Sequence, residues 1–215
     1  MIRDQFIKPQ MALRLTLALT GMVLMGLAIA ILRIPVFGTD PYSAMMLGLA
    51  NLVGMSYGNF CAIGNVTMFA AELLWGRRYI GIATFTNWFL LGYCVDGFCR
   101  AFRQLGLDHC PASLGLRVVI ALVGLLIFGF ALSMYQMADV GSSPYECLPL
   151  IIKEKLHLPF FISRVIVDGL CTLVAFLADG VIGVVTLLIF FLLGPIAAFF
   201  NRHVFARIIS NETLL

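Results

Sequence analysis

Residues 38–42 read Gly-Thr-Asp-Pro-Tyr, and residues 141–145 read Gly-Ser-Ser-Pro-Tyr. Each stretch describes the end of a loop and the start of a helix. Glycine reaches positive φ without a Cβ clash, Asp40 and Ser143 carry oxygens suited to an N-cap, and proline costs nothing in a first helical turn. The stretches are 103 positions apart, and the same offset lays Arg14 on Arg117, Ala18 on Ala121, Gly21 on Gly124, Gly26 on Gly129 and Ala28 on Ala131. At an offset of 102, Ile80-Gly81 falls on Ile182-Gly183, Thr84 on Thr186 and Leu91-Gly92 on Leu193-Gly194. Leu-on-Leu coincidences are cheap in an apolar sequence; ordered matches of Gly, Pro, Arg and Tyr are not. The chain reads as an internal duplication, with residues 11–98 as one repeat and 114–200 as the other, inside a single membrane domain.

The residues around these stretches set the solvent. Of 215 residues, 61% are hydrophobic and 12% charged, with a mean hydropathy of +1.02. Soluble domains run at about 45–50% apolar and about 25% charged, and a single core of this size leaves much surface facing water. A soluble enzyme, a nucleic-acid reader and a disordered scaffold are excluded. The long apolar runs are residues 11–34, 59–75, 80–98, 114–137, 160–178 and 181–200. Two shorter ones, 41–54 and 144–156, start at the Pro-Tyr elements, and the first reaches only about 21 Å against a hydrocarbon core of about 30 Å. The longest polar connection runs from Cys99 to Ser113. The expected fold is all-α: a polytopic membrane helix bundle of two tandem repeats, each a long helix, a short helix opening at G-x-x-P-Y, and two long helices.

The N-terminal run 15–32 is longer than a signal-peptide core and ends without a small-residue cleavage site, so it reads as a retained span. The net charge of +3, from 14 Lys and Arg against 11 Asp and Glu, fits cations kept in cytoplasmic loops. Crossing short helices would make the repeats parallel and give eight passes; returning ones would make them inverted and give six. Eight passes put Arg3, Lys8, Arg14, Arg100, Arg103, Arg117, Lys153, Lys155, Arg202 and Arg207 on one side, opposite Arg33, Arg77 and Arg78. Six passes exchange Arg77 and Arg78 for Arg100, Arg103 and Arg117, a slightly poorer fit. The N-terminus is expected to be cytoplasmic.

Few polar residues lie inside the apolar runs. The Pro-Tyr elements have two readings: simple caps, or two helix N-termini that face a shared cavity and favour an anionic or polar ligand. In the second reading Tyr42 and Tyr145 add hydroxyls and ring faces, and Asp40, whose counterpart Ser143 is neutral, tilts one side toward a cation. Arg164 and Asp168 stand four apart on one helix face, as a structural ion pair or as pathway residues. Asn65 is the repeat counterpart of Asp168. Glu72, Asp96, Glu146 and Arg33 lie near segment ends, where interfacial solvation explains them. The six cysteines form no CxxC pair and have no histidine at ligand spacing; they read as reduced packing residues. No metal site, cofactor motif, G-x-S-x-G elbow or P-loop is present, so no enzyme is expected, and any transport is secondary or driven by a separate ATPase.

A Gly-bearing first span, G-x-x-P-Y, and I-G-x-x-T before a second Gly-bearing span, all occurring twice, resemble the YczE/YyaS/YitT group of bacterial integral membrane proteins, most nearly its YczE-like branch. The resemblance covers about residues 11–200, with Tyr42 and Tyr145 where that group often has Trp. It implies a bacterial plasma-membrane protein. The function expected is a secondary transporter or channel for a small solute, with a non-transporting regulatory or assembly subunit as the alternative. The bilayer is the expected partner, nucleic acid is not, and a homo-oligomer stays open.

Overall fold

The computed structural model describes residues 10–34 and 37–205. Arg3, Lys8 and Arg207 of the charge count, and positions 35–36 of the first loop, lie outside the described residues. The helices are α1 (Met11–Arg33), α2 (Pro41–Leu52), α3 (Tyr57–Trp75), α4 (Ile82–Gln104), α5 (Leu114–Ala138), α6 (Pro144–Leu156), α7 (Phe160–Leu177) and α8 (Val184–Phe200), followed by a π-helical turn, Asn201–Phe205. Helix α4 runs on past the expected end at residue 98. The segment after it contains neither Gly nor Pro until Gly106, so nothing stops the helix, and the polar connection is shorter than expected.

Helices α1 and α5 form the spine and run antiparallel. Arg14, at the start of α1, donates from Nη1 to Ala138 O at the end of α5, at 3.0 Å. Arg117, at the start of α5, lies over the Phe37 ring beyond the end of α1, at 4.4 Å. Between these points Gly21 admits the backbone of Ala131, where a Cβ would come within 2.9 Å of the carbonyl oxygen. Small residues thus bring the two backbones together, as in many membrane helix pairs. Helix α4 lies along α1, and α8 along α5.

The antiparallel spine does not fit eight crossings, the count that loop charge slightly favoured. Opposite directions for α1 and α5 require an odd number of crossings before α5 begins, and four crossings per repeat make them parallel. Helices α2 and α3 meet at a bend of 111°, and α2, at 12 residues, reaches only about 18 Å. Charge counting misjudged this because it weighs only loops. Four helices among the described residues are individually long and apolar enough to span a membrane, namely α1, α5, α7 and the run Val184–Val204, or five with the bent α2–α3 pair. Helix α4 falls outside that set, diluted by Asn87, Asp96, Arg100 and Arg103. On α7, Ile166, Leu170, Leu173 and Leu177 are all exposed at helical spacing, an apolar stripe that only lipid or another apolar surface can cover.

Helix α2 is the most enclosed of the helices. Eight of the residues of α2, from Pro41 to Ala50, are buried. It packs on α7 and α3, while α6 packs on α3 and α7. Each Pro-Tyr loop is clasped by the distant I-G-x-x-T turn. Val140 O accepts from Ala83 N at 3.0 Å, Tyr79 O accepts from Ser142 N at 3.0 Å, and Thr84 Oγ1 donates to Ser142 O at 2.6 Å. On the other side Phe37 O accepts from Val185 N at 3.0 Å, and Val181 O from Thr39 N at 3.4 Å. The clasps need glycine: Gly38 and Gly141 have φ of +101° and +122°, and a Cβ on Gly141 would lie 2.8 Å from Gly81 Cα.

Candidate functional site

The Pro-Tyr helix starts meet at the centre of the molecule. Asp40 Oδ2 accepts from Ser43 N at 2.9 Å and Ser143 Oγ accepts from Glu146 N at 3.2 Å, so both act as N-caps on their own helices. The residue after each proline then projects into the middle. The Tyr42 and Tyr145 ring centroids are 4.8 Å apart, with the rings tilted by 31°. The Tyr42 hydroxyl reaches α3 and the Tyr145 hydroxyl reaches α7. Tyr42 donates to Asn65 Oδ1 at 2.7 Å, and Tyr145 donates to Asp168 Oδ1. All four side chains are buried. Tyr42, Asn65, Tyr145 and Asp168 therefore converge.

Arg164 joins them on one side only. Its Nε donates to Asp168 Oδ2 at 3.1 Å, its Nη1 lies 2.9 Å from both oxygens of Glu146, and its guanidinium carbon stands 5.0 Å from the centre of the Tyr145 ring. Gln136 Nε2 donates to Glu146 Oε2 at 3.4 Å. The Arg164 and Glu146 side chains are 17% and 14% exposed, which makes this a largely desolvated cluster rather than a surface bridge. Glu146 is the residue that reading segment ends missed. The signal lay in the offset of 103: Ser43, Cys61 and Asn65 fall on Glu146, Arg164 and Asp168. Three neutral positions in one half fall on three charged positions in the other.

Two cavities adjoin the cluster. A small one, about 40 Å³, lies between Met25, Tyr42, Asn87, Tyr135 and Tyr145, room for about one water. A larger one, about 660 Å³, lies between α7 and α8 and is lined by Glu146, Arg164, Asp168, Phe161, Phe190 and Gly194, among others. The corresponding space between α3 and α4 is closed. Gly58 and Gly92 bring those backbones together, where a Cβ on Gly92 would lie 2.9 Å from Gly58 Cα. Asp96 Oδ2 accepts from Gly58 N at 2.7 Å, and Trp88 Nε1 donates to Ala62 O at 2.7 Å. At the repeat offsets, Gly58 corresponds to Phe161, Asp96 to Ala198 and Trp88 to Phe190. A phenyl ring replaces the glycine contact and the tying carboxylate is gone, so α7 and α8 stay apart.

Two more charges differ from the expectation of interfacial solvation. Glu72 is fully buried beneath α6, with neither carboxylate oxygen in a hydrogen bond. Helix α6 covers it because Gly76, one turn on, admits Cys147 and Ile151. Arg33 stacks on the Tyr57 ring at 4.3 Å while its Nε and Nη2 are buried without a hydrogen bond. Cys61, Cys94, Cys99, Cys147 and Cys171 are free thiols.

The model of a family of unknown function, DUF6198, matches residues 12–202. The chain belongs to that family. DUF6198 extends over both Pro-Tyr elements and both clasps. The chain is similar to the uncharacterized protein YyaS of Bacillus subtilis strain 168, at 24% identity over 90% of this chain and 92% of the relative. An uncharacterized protein of Haemophilus influenzae Rd is 21% identical over 90% and 85%. The uncharacterized membrane protein YczE of Bacillus subtilis is 23% identical over 69% and 66%. These matches establish the YczE/YyaS kinship that the repeated motifs suggest and agree with a membrane protein. No solved structure matches the chain.

Proposed function

We propose that this DUF6198 protein is a secondary transporter or channel of the bacterial plasma membrane, carrying a small solute past the paired tyrosines, with its N-terminus in the cytoplasm. Its repeats, 11–98 and 114–200, are inverted units of three crossings each, related by an axis in the membrane plane between Tyr42 and Tyr145. The antiparallel α1 and α5, and the matched clasps on either side of that axis, support the inversion. Secondary transporters are often built from inverted repeats whose broken helices start near the bilayer midplane, beside the solute.

The observation that carries this reading is the meeting of Tyr42, Asn65, Tyr145, Arg164 and Asp168 beside a cavity of about 660 Å³. Ionisable groups held between apolar helices are costly and by default functional. Asp40, with Thr39 donating to its Oδ1, and Ser143 cap the short helices and line the small cavity rather than the large one. A thermal-shift screen of purified protein against metabolites identifies the solute, because a ligand of the native state raises its stability. Uptake of that solute into proteoliposomes then falls in Asp168→Asn and Arg164→Gln by more than the folding yield does. Equal loss of uptake and yield assigns the pair to structure and the chain to a non-transporting partner.

A further inference from the structure

Helix α6 packs on both α3 and α7 and meets an ionisable group on each. Toward α7, Tyr145 and Glu146 belong to the cluster with Arg164 and Asp168. Toward α3, Cys147 and Ile151 close over Glu72 in the notch left by Gly76, where a Cβ would lie 2.7 Å from Cys147 Sγ and 2.9 Å from Ile151 Cδ1. Glu72 is fully buried, neither of its oxygens is in a hydrogen bond, and it lines neither cavity beside the cluster. The ionisable groups that reach it are the Cys147 thiol of α6 and the Tyr135 hydroxyl of α5, and Tyr135 donates to Ala83 O at 3.0 Å. In the turn after α3, Arg77 donates to Leu73 O at 2.7 Å, and Arg78 and Tyr79 are held by Glu154. Helices α2 and α4, which also pack on α3, bring no ionisable group to Glu72 among the described residues. No cation balances this carboxyl, and burying an unpaired carboxylate is so costly that such a group takes up a proton instead.

The fold does not ask for an acid at this place. At the offset of 103, Glu72 falls on Ala175, which is also fully buried, on the helix that α2 packs against. The cover itself is built to give: Pro149, inside α6, has no N–H to offer the Tyr145 carbonyl, so the helix lacks a bond just where it passes from the cluster to Glu72.

We propose that Glu72 is a proton-binding site: its carboxyl holds a proton while α6 covers it and gives that proton to water when α6 moves aside. Residues 145–147 join the two sides, because a shift of Tyr145 and Glu146 at the ion cluster carries Cys147 with it. The coupling role rests on the transport reading, in which this proton is the ion that moves with or against the solute.

Infrared spectra of the purified full chain in detergent test the proton itself. At neutral pH the carbonyl band of a protonated acid is expected in wild type, and Glu72→Gln loses it. Raising the pH removes that band from wild type, and Ile151→Ala and Cys147→Ala, which thin the cover, lose it at lower pH. Acid bands of equal strength in wild type and Glu72→Gln overturn the proposal, as does a pH of loss unchanged in both cover variants. The Glu72 band without solute uptake into proteoliposomes leaves the proton site standing and removes the transport reading; uptake without that band does the reverse.

Discussion

Both carboxylate oxygens of Glu146 accept from a single nitrogen, Nη1 of Arg164, at 2.9 Å each. Nε of the same guanidinium is committed to Asp168. Removing Arg164 therefore strands two carboxylates in a largely desolvated site. Arg164→Met is expected to cost about 3–5 kcal/mol, read by denaturant unfolding in detergent micelles. The triple variant Arg164→Met, Glu146→Gln, Asp168→Asn recovers most of it, because no buried charge is then left alone. A single variant within about 1 kcal/mol of wild type means that the cluster is solvated.

The two central tyrosines make unequal bonds. Tyr42→Phe removes a neutral hydrogen bond to Asn65, worth about 0.5–1.5 kcal/mol, and Tyr145→Phe removes one to a carboxylate, worth about 1.5–3 kcal/mol. The larger fall in thermal midpoint belongs to Tyr145→Phe. The reverse order means that the charge of Asp168 is not borne by that bond.

Gly92→Ala and Gly194→Ala occupy matching positions with opposite expectations. A methyl at 92 meets Gly58 Cα at 2.9 Å and forces α3 from α4, whereas position 194 has nothing within 4 Å. Gly92→Ala destabilises, and Gly194→Ala gains the helix preference of alanine, about 0.5–1 kcal/mol. Thermal unfolding of the pair checks the asymmetry of the two helix gaps.

Glu72 is buried with both oxygens unpartnered. Glu72→Met keeps the volume and removes the unsatisfied carboxyl, so it is expected to raise stability by about 1–3 kcal/mol. A fall of that size means instead that the carboxyl has a partner in the bilayer, such as a bound water.

How much of this was legible in the sequence depends on how far each contact reaches along the chain. The caps at Asp40 and Ser143 and the Arg164–Asp168 pair lie within one helical turn, so spacing alone located them. The Tyr42–Asn65 and Tyr145–Asp168 bonds each span a pair of consecutive helices, and repeat matching put Asn65 and Asp168 in register without linking them to the tyrosines. Glu146 and Glu72 escaped because their surroundings come from other helices. Arg164 lies on α7, and the cover over Glu72 is α6, admitted by Gly76. The antiparallel lie of α1 and α5 escaped for the same reason, since loop charge says nothing of how two helices pack.

The crossed clasps bear on how the molecule is made. The loop that launches α2 hydrogen-bonds to the turn before α8, and the loop that launches α6 to the turn before α4. The first half therefore leaves the ribosome before its own keystone, residues 181–186 of the second half, has been made. Its long helices can enter the membrane in turn, but the loop before α2 gains its clasp only once residues 181–186 have been made. The order of assembly is insertion first and locking last. The clasps interlock the two halves, and fragments severed in the 105–113 connection are expected to rebuild the protein only when made together.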